Sequence, residues 1–177
     1  MIGALRDTLA RRAARRAVRE RTRGTLRSEP SRRRALVVLP PTREAAEATW
    51  GLLESLGLEA PRIVPVALGA VAYVPDRYAG RILVVEPTGA LRLPSAAMRR
   101  AAWEPAPDVA INLHDPLDAA AALLVGGSPA PIRVGYADRR AEPFYDLLVG
   151  APGGADPGPE AVVRTLAQLQ PPLFGPA

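Results

Sequence analysis

Residues 108–145 constrain the fold of this chain more than any other segment. The segment reads DVAINLHDPLDAAAALLVGGSPAPIRVGYADRRAEPFY. It predicts a short buried strand over residues 109–113, a helix of small residues over 117–125 and a second buried strand over 132–136. A strand, a helix and another strand in succession form the unit from which parallel α/β sheets are built. The segment therefore predicts an α/β protein.

The same alternation begins at residue 35 and continues to the end of the chain. Further strands are predicted over residues 35–39, 62–68, 70–74, 81–86 and 145–149. The strands over 62–68 and 70–74 are two short strands around Gly69 or, alternatively, one bent edge strand. Further helices are predicted over residues 43–56, 96–103 and 160–169, with Thr42 and Ser95 as N-caps of the first two. Strands that alternate with helices predict a mostly parallel sheet with both faces covered. A chain of 177 residues suits one such domain, here residues 35–177.

The first 34 residues differ from the rest in charge. They hold 12 of the 23 arginines and only three carboxylates, a formal charge of +9, whereas the remaining residues carry −4. Residues 4–23 are expected to be helical when they are bound to a partner, because alanine, leucine and arginine are good helix formers. At about 100° per residue, alanines occupy one face of this helix and six arginines the other: Arg11, Arg12, Arg15, Arg16, Arg19 and Arg23. Residues 1–34 are thus expected to form an arginine-rich helical arm and linker.

The arginine face of this arm predicts an anionic partner, either RNA or an anionic membrane surface. The alanine face opposite would bury little apolar area in a membrane, and the arm has no aromatic side chain to stack on RNA bases. A solvated arm without a partner and an organellar transit peptide are alternatives. No apolar run reaches the ~20 residues of a transmembrane segment, so the expected location is the cytoplasm, either free or peripheral to the inner face of the membrane.

Polar residues that follow the predicted strands are the candidate ligand-binding groups, because ligands of parallel sheets bind beyond the carboxyl ends of the strands. Arg139 and Arg140 could bind a phosphate or carboxylate, or could be solvated turn residues. Asp115 is expected chiefly to cap the helix over 117–125. His114 could titrate near neutral pH and act as a general acid, or be a polar loop residue. The ligand-binding candidates are Thr42, Asn112, Asp115, Tyr136, Arg139 and Arg140.

The sequence predicts neither a metal nor a cofactor. The chain has no cysteine and a single histidine, which argues against thiolate and histidine-rich metal sites. Residues 126–128 (Gly-Gly-Ser) follow a helix, whereas a dinucleotide-binding motif lies between a strand and a helix. The glycines of residues 150–154 are not followed by the Lys-Ser/Thr of a phosphate-binding loop.

Four stretches, ALVVLPP, DVAINL, DAAAALLVGGSPAPIRVGY and EPFYDLLV, together resemble the N-terminal domain of family 9 glycosyltransferases, the bacterial heptosyltransferase family. The resemblance implies a single Rossmann-like domain, like the acceptor-binding half of a GT-B transferase. It ends near residue 149, so the donor-binding half is not expected here. The family's catalytic aspartate follows a glycine after the first strand, but the only acid near that loop in this chain is Glu44. A carboxylate in a first helical turn commonly compensates the helix dipole.

These features predict a non-catalytic binding or adaptor protein whose basic arm contacts an anionic surface or partner. The alternative is a half-transferase that joins a partner chain to transfer a sugar, with Glu44 and His114 as candidate catalytic residues. A third hypothesis is a structural protein that serves only to form a homo-oligomer.

Overall fold

The structure is a computed structural model that describes residues 2–20, 24–25, 33–55, 62–69, 75–78, 80–114, 117–138, 140–150 and 158–168. Its strands are β1 (Ala35–Val38), β2 (Ile63–Leu68), β3 (Leu83–Val85), β4 (Val109–Asn112), β5 (Ile132–Tyr136) and β6 (Leu147–Val149). Its helices are α1 (Ile2–Arg19), α2 (Arg43–Ser55), α3 (Ala96–Trp103), α4 (Ala119–Gly126) and α5 (Gly158–Gln168).

The six strands form one parallel sheet in the order β3-β2-β1-β4-β5-β6. Ala35 on the central strand β1 lies opposite Ile63 of β2 on one side and Val109 of β4 on the other. The chain fills one half of the sheet before it crosses to the other, so β1 and β4 meet where the strand order reverses. This arrangement is a Rossmann-like α/β fold, and it confirms the predicted fold class.

Two predicted N-caps are confirmed and a third lies elsewhere. The Thr42 Oγ1 accepts a hydrogen bond from the Ala45 amide at 3.3 Å, and the Ser95 Oγ accepts one from the Met98 amide at 3.2 Å. The cap of α4 is Asp118, whose Oδ1 accepts from the Ala121 amide at 2.8 Å. The prediction of Asp115 as the cap was wrong because α4 begins two residues later than expected; Asp115 itself lies outside the described residues.

The strand β2 is an interior strand, with β1 on one side and β3 on the other. The alternative of one bent edge strand at this point was therefore wrong, and the strand predicted over residues 70–74 lies outside the described residues. The edges of the sheet are β3 and β6. The error has a simple cause: a four- to six-residue apolar run does not reveal whether one or two neighbours pair with it.

Helices cover both faces of the sheet, which explains why the strands are mostly apolar rather than alternating between apolar and polar residues. On one face, α2 and α5 contribute Trp50, Leu53 and Leu166 to the core, and the Trp50 ring stacks on Tyr78 with centroids 4.3 Å apart. On the other face, α3 and α4 cover the sheet, and the Trp103 Nε1 donates to the Leu124 carbonyl at 2.9 Å.

The helix α4 has no polar side, and its residues from Ala120 to Gly126 are all buried. A helix that is apolar on every side must be covered on its outer face as well as against the sheet. That cover is α1, whose buried residues Ala10, Ala14 and Val18 recur every four positions along the face that meets α4. A Cβ on Gly126 would lie 3.1 Å from Val18 Cγ2, so glycine at this position permits the close contact.

Besides the alanine face, two contacts of Arg15 and one contact just after the helix connect the N-terminal segment to the rest of the protein. The Arg15 Nη2 donates to the Arg140 carbonyl at 3.0 Å, and its guanidinium carbon lies 5.9 Å from the centroid of the Phe144 ring. After the helix, the Gly24 amide donates to the Pro129 carbonyl at 2.6 Å. The predicted helix is thus confirmed over residues 4–19; it begins two residues earlier than predicted, at Ile2, and it forms an outer layer over α4. Residues 21–23 of the prediction lie outside the described residues.

A buried ion pair joins β5, β6 and the end of α4. The Arg133 side chain is fully buried; its Nε and Nη2 donate to the two carboxylate oxygens of Asp146 at 2.7 and 2.6 Å. Its Nη1 donates to the Gly126 carbonyl at 3.3 Å. Because every nitrogen of the guanidinium has an acceptor, the desolvation of this buried cation is compensated.

Candidate functional site

A cavity of about 520 Å³ lies between the N-terminal half of α1 and the carboxyl edge of the sheet. Its walls come from four places in the chain: α1, the loop after β3, the loop after β4 and the first turn of α4. Ligands of parallel α/β sheets bind at this edge. The cavity therefore lies where the fold favours a ligand, and α1 forms one of its walls.

Among the described residues, three arginines, two aspartates and one histidine supply the polar side chains of the cavity lining. Arg6 and Arg11 line it from α1, and Arg92 from the loop after β3. His114 follows β4, is half-buried, and its amide donates to the Asn112 Oδ1 at 2.9 Å. Two carboxylates of the described residues lie in the lining: Asp7, which accepts a hydrogen bond from Arg6 at 3.4 Å, and Asp118, the cap of α4.

Arg92 occupies an unusual backbone conformation. Its φ is +50°, in the left-handed region that non-glycine residues seldom adopt. The turn that contains it is closed by two backbone hydrogen bonds between Thr88 and Leu93, at 3.1 and 3.2 Å, and Gly89 within it also has a positive φ. The loop after β3 is therefore a defined turn that holds Arg92 beside the cavity.

Two of the predicted ligand-binding residues are buried inside the protein. The Asn112 Nδ2 donates to the Tyr145 hydroxyl at 2.8 Å, and the Tyr136 hydroxyl donates to the Leu113 carbonyl at 3.0 Å. The first bond joins the end of β4 to the segment that precedes β6, and the second joins the end of β5 to the residue after β4. Neither Asn112 nor Tyr136 lines the cavity.

The other predicted residues near β1 and β5 also lie away from the cavity lining. Thr42 and Glu44 are exposed at the start of α2, where one caps the helix and the other lies in its first turn. Arg140 is exposed, and its guanidinium and amide donate to Asp138 at distances from 2.7 to 3.2 Å. These hydrogen bonds hold the pKa of the Asp138 carboxyl below its ordinary value. Arg139 lies outside the described residues.

The predicted arginine face of α1 is divided between two environments. Arg11 and Arg15 are half-buried beside the alanine stripe, whereas Arg12, Arg16 and Arg19 are exposed. The Arg16 Nε donates to the Glu20 carboxylate at 2.9 Å, and this hydrogen bond together with the charge of Glu20 raises the pKa of Arg16. Arg23 lies outside the described residues.

Two leucines accompany the exposed arginines. Leu5 is 62% exposed and Leu9 is 43% exposed. Leu5 and Leu9 are four residues apart, and the arginines at positions 12, 16 and 19 follow at spacings of three, four and three residues, which places all five on the same outer stripe of α1. We call this stripe, Leu5, Leu9, Arg12, Arg16 and Arg19, the outer face of α1.

Sequence reasoning missed Arg6 and Arg92 as residues of the cavity. Arg6 lies one turn before Ala10, on the side of α1 that meets the body, so the position of the buried alanines along the helix was the available signal. Arg92 follows β3, and any polar residue after a strand of this sheet is a candidate by the carboxyl-edge rule. No local motif distinguishes Arg92 from the other arginines.

Among the residues that the structure describes, no three histidine, aspartate or glutamate side chains cluster as a metal site. Within the same part of the chain, no helix is both long and apolar enough to cross a membrane. Comparison with known proteins adds no family assignment, because no protein-family model, curated protein or solved structure matches the chain. Fold and cavity together define a Rossmann-like α/β protein with an additional N-terminal helix.

Proposed function

We propose that this chain is a non-catalytic binding or adaptor protein that associates peripherally with an anionic membrane surface through the outer face of α1. The observation that carries the proposal is the orientation of α1. Its alanine stripe packs on α4, so the helix is fixed to the body with three arginines and two leucines directed outward. The body itself is similar to the N-terminal domain of family 9 glycosyltransferases, here in a binding role.

The composition of the outer face favours a lipid surface over RNA. Arginines that lie near an anionic leaflet contribute about 1 kcal/mol each, and exposed leucines on the same stripe can enter the boundary between headgroups and acyl chains. RNA would be bound through phosphates alone, since the described part of this face offers no aromatic side chain for base stacking. The alanines pack against the body and so are not available to a membrane. The exposed apolar side chains that a lipid surface could contact are Leu5 and Leu9.

The test is flotation of the full chain with vesicles made of equal parts phosphatidylcholine and phosphatidylglycerol. We expect binding at low salt that weakens as sodium chloride rises, because arginine–phosphate contacts are screened. Replacing Arg12, Arg16 and Arg19 together by glutamine is expected to weaken binding on the order of 100-fold, from about 1 kcal/mol per arginine. Vesicles of phosphatidylcholine alone should not bind.

The matched control replaces Arg81, Arg100 and Arg164 by glutamine, which removes the same charge from exposed positions elsewhere. This control should retain vesicle binding. Equal weakening in both triple variants would show that net charge, rather than the outer face, drives the association. Salt-sensitive binding to single-stranded RNA without binding to vesicles would replace the lipid proposal by the nucleic-acid one.

The half-transferase is the second candidate function, and the position of His114 is the observation that favours it. His114 lines a cavity at the edge of the sheet where an acceptor sugar would bind. Against it, Glu44 is exposed in the first turn of α2 and does not line that cavity. Under this hypothesis, the chain transfers sugar from a nucleotide sugar only when the partner chain is present. His114→Ala is then expected to abolish that transfer. Under the binding proposal, neither form transfers sugar.

A further inference from the structure

The cavity beneath α1 is separate from the outer face of the same helix, and its chemistry is different. We infer that this cavity is a binding site for a small phosphorylated molecule, with Arg11 and Arg92 contacting the phosphate oxygens. Arg11 lies on α1 and Arg92 on the loop after β3, so a ligand would join the N-terminal helix to the edge of the sheet. This inference goes beyond the proposed membrane association and does not depend on it.

The balance of charge in the cavity favours an anion. Asp7 already accepts a hydrogen bond from Arg6, and Asp118 accepts one from the Ala121 amide. No carboxylate of the described residues lies within ion-pair distance of Arg11 or Arg92. Two guanidiniums on different walls therefore line the cavity without an ion pair to a described carboxylate. The carboxyl pKa of Asp138 is lowered by its hydrogen bonds with Arg140 and, to a smaller extent, by the charge of Arg11. The planar donor fork of arginine suits phosphate oxygens.

The backbone of Arg92 supports a role for its side chain. A residue with φ of +50° is strained unless it is glycine, and strain of this kind concentrates at ligand-binding positions. The turn from Thr88 to Leu93 is fixed by its own hydrogen bonds, so glycine at position 92 would satisfy the same geometry without strain. A side chain kept at this φ in place of glycine therefore supports a role for the Arg92 guanidinium in the cavity.

The size and the remaining lining indicate the class of ligand. About 520 Å³ falls within the roughly 300–1,000 Å³ typical of small-molecule sites. Ala10, Pro87, Leu91 and Leu117 provide apolar wall for the uncharged part of a ligand. A phosphate monoester carries nearly two negative charges and three acceptor oxygens, which match two guanidiniums better than the single charge of a carboxylate does. The first turn of α4, which also lines the cavity, adds a favourable dipole.

The experiment is calorimetric titration of the full chain with glycerol 3-phosphate at constant ionic strength, with glycerol and succinate as comparison probes. We expect saturable binding of glycerol 3-phosphate and none of glycerol. Arg11→Gln and Arg92→Asn should each weaken binding by about tenfold or more, the loss expected for one charge-assisted contact. Asparagine is chosen at position 92 because it tolerates the left-handed conformation.

The controls are Arg12→Gln, which follows Arg11 on α1 but belongs to the outer face, and Arg81→Gln, which is exposed outside the cavity. Both should bind glycerol 3-phosphate within about twofold of the unaltered chain. The inference is overturned by an absence of saturable binding, by tighter binding of succinate than of the phosphate, or by equal losses in the controls. Vesicle binding tests the other face of α1, so failure of one proposal is distinguishable from failure of the other.

Discussion

Replacing Ala14 with glutamate is expected to destabilise the packing of α1 on α4 by about 3–5 kcal/mol, the cost of an uncompensated buried charge. Ala14 is fully buried between the two helices, and a glutamate there could ionise only if α1 separated from α4. Separation would expose the outer side of α4, which has no polar residue. The measurement is urea denaturation followed by tryptophan fluorescence, since Trp103 packs beside α4 and hydrogen-bonds its Leu124 carbonyl.

The matched control is the same substitution at Ala4, which lies on α1 but is exposed. An added carboxylate there should change the free energy of unfolding by no more than about 0.5 kcal/mol, and its place in the first turn of the helix is favourable. Equal and small effects at both positions would mean that α1 does not pack on α4.

Asp146→Ala is expected to cost about 3 kcal/mol of folding stability, because it leaves the buried Arg133 guanidinium without its carboxylate. The estimate is taken at the lower end of the range for broken buried pairs, since the Asp146 side chain is 28% exposed. Arg133 would retain only the contact of its Nη1 with the Gly126 carbonyl. Urea denaturation of the variant and the unaltered chain measures the difference.

Asp138→Ala provides a matched comparison, because it also removes a carboxylate from an arginine pair. The Arg140 side chain of this pair is 64% exposed, whereas that of Arg133 is fully buried. Exposed pairs contribute about 0.2–1 kcal/mol, so the loss should be well below that of Asp146→Ala. If Asp138→Ala lowered the free energy of unfolding as much as Asp146→Ala, burial of Arg133 would not explain the contribution of the Arg133–Asp146 pair to stability.

The sheet and most of the helices could be predicted because their signals are local. Apolar runs bounded by proline and glycine marked the strands, and Thr42 and Ser95 marked helix starts correctly. The cap of α4 was misplaced because Asp115 and Asp118 both precede the apolar run, and only the hydrogen bond to the Ala121 amide distinguishes them. Pairing partners of β2 depend on strands distant in the sequence, so its interior position had no local signal.

The candidate site was predicted less well than the fold because it depends on side-chain direction. The carboxyl-edge rule selects an edge of the sheet but does not say which side chains point outward. Asn112 and Tyr136 point inward to partners in neighbouring loops. The packing of α1 had a signal in the sequence that was easy to overlook: a helix without any polar face, α4, requires an outer cover.

Hydrogen–deuterium exchange across α1 in the full chain tests whether α1 is a packed layer of the fold with a fixed outer face. We expect the amides in the second half of α1 to be protected to an extent similar to those of α4, and both to lose protection together in Ala14→Glu. Exchange of α1 at the rate of an unstructured peptide, while the sheet remains protected, would contradict this expectation. In that case neither the outer face nor the cavity beneath α1 could act as described.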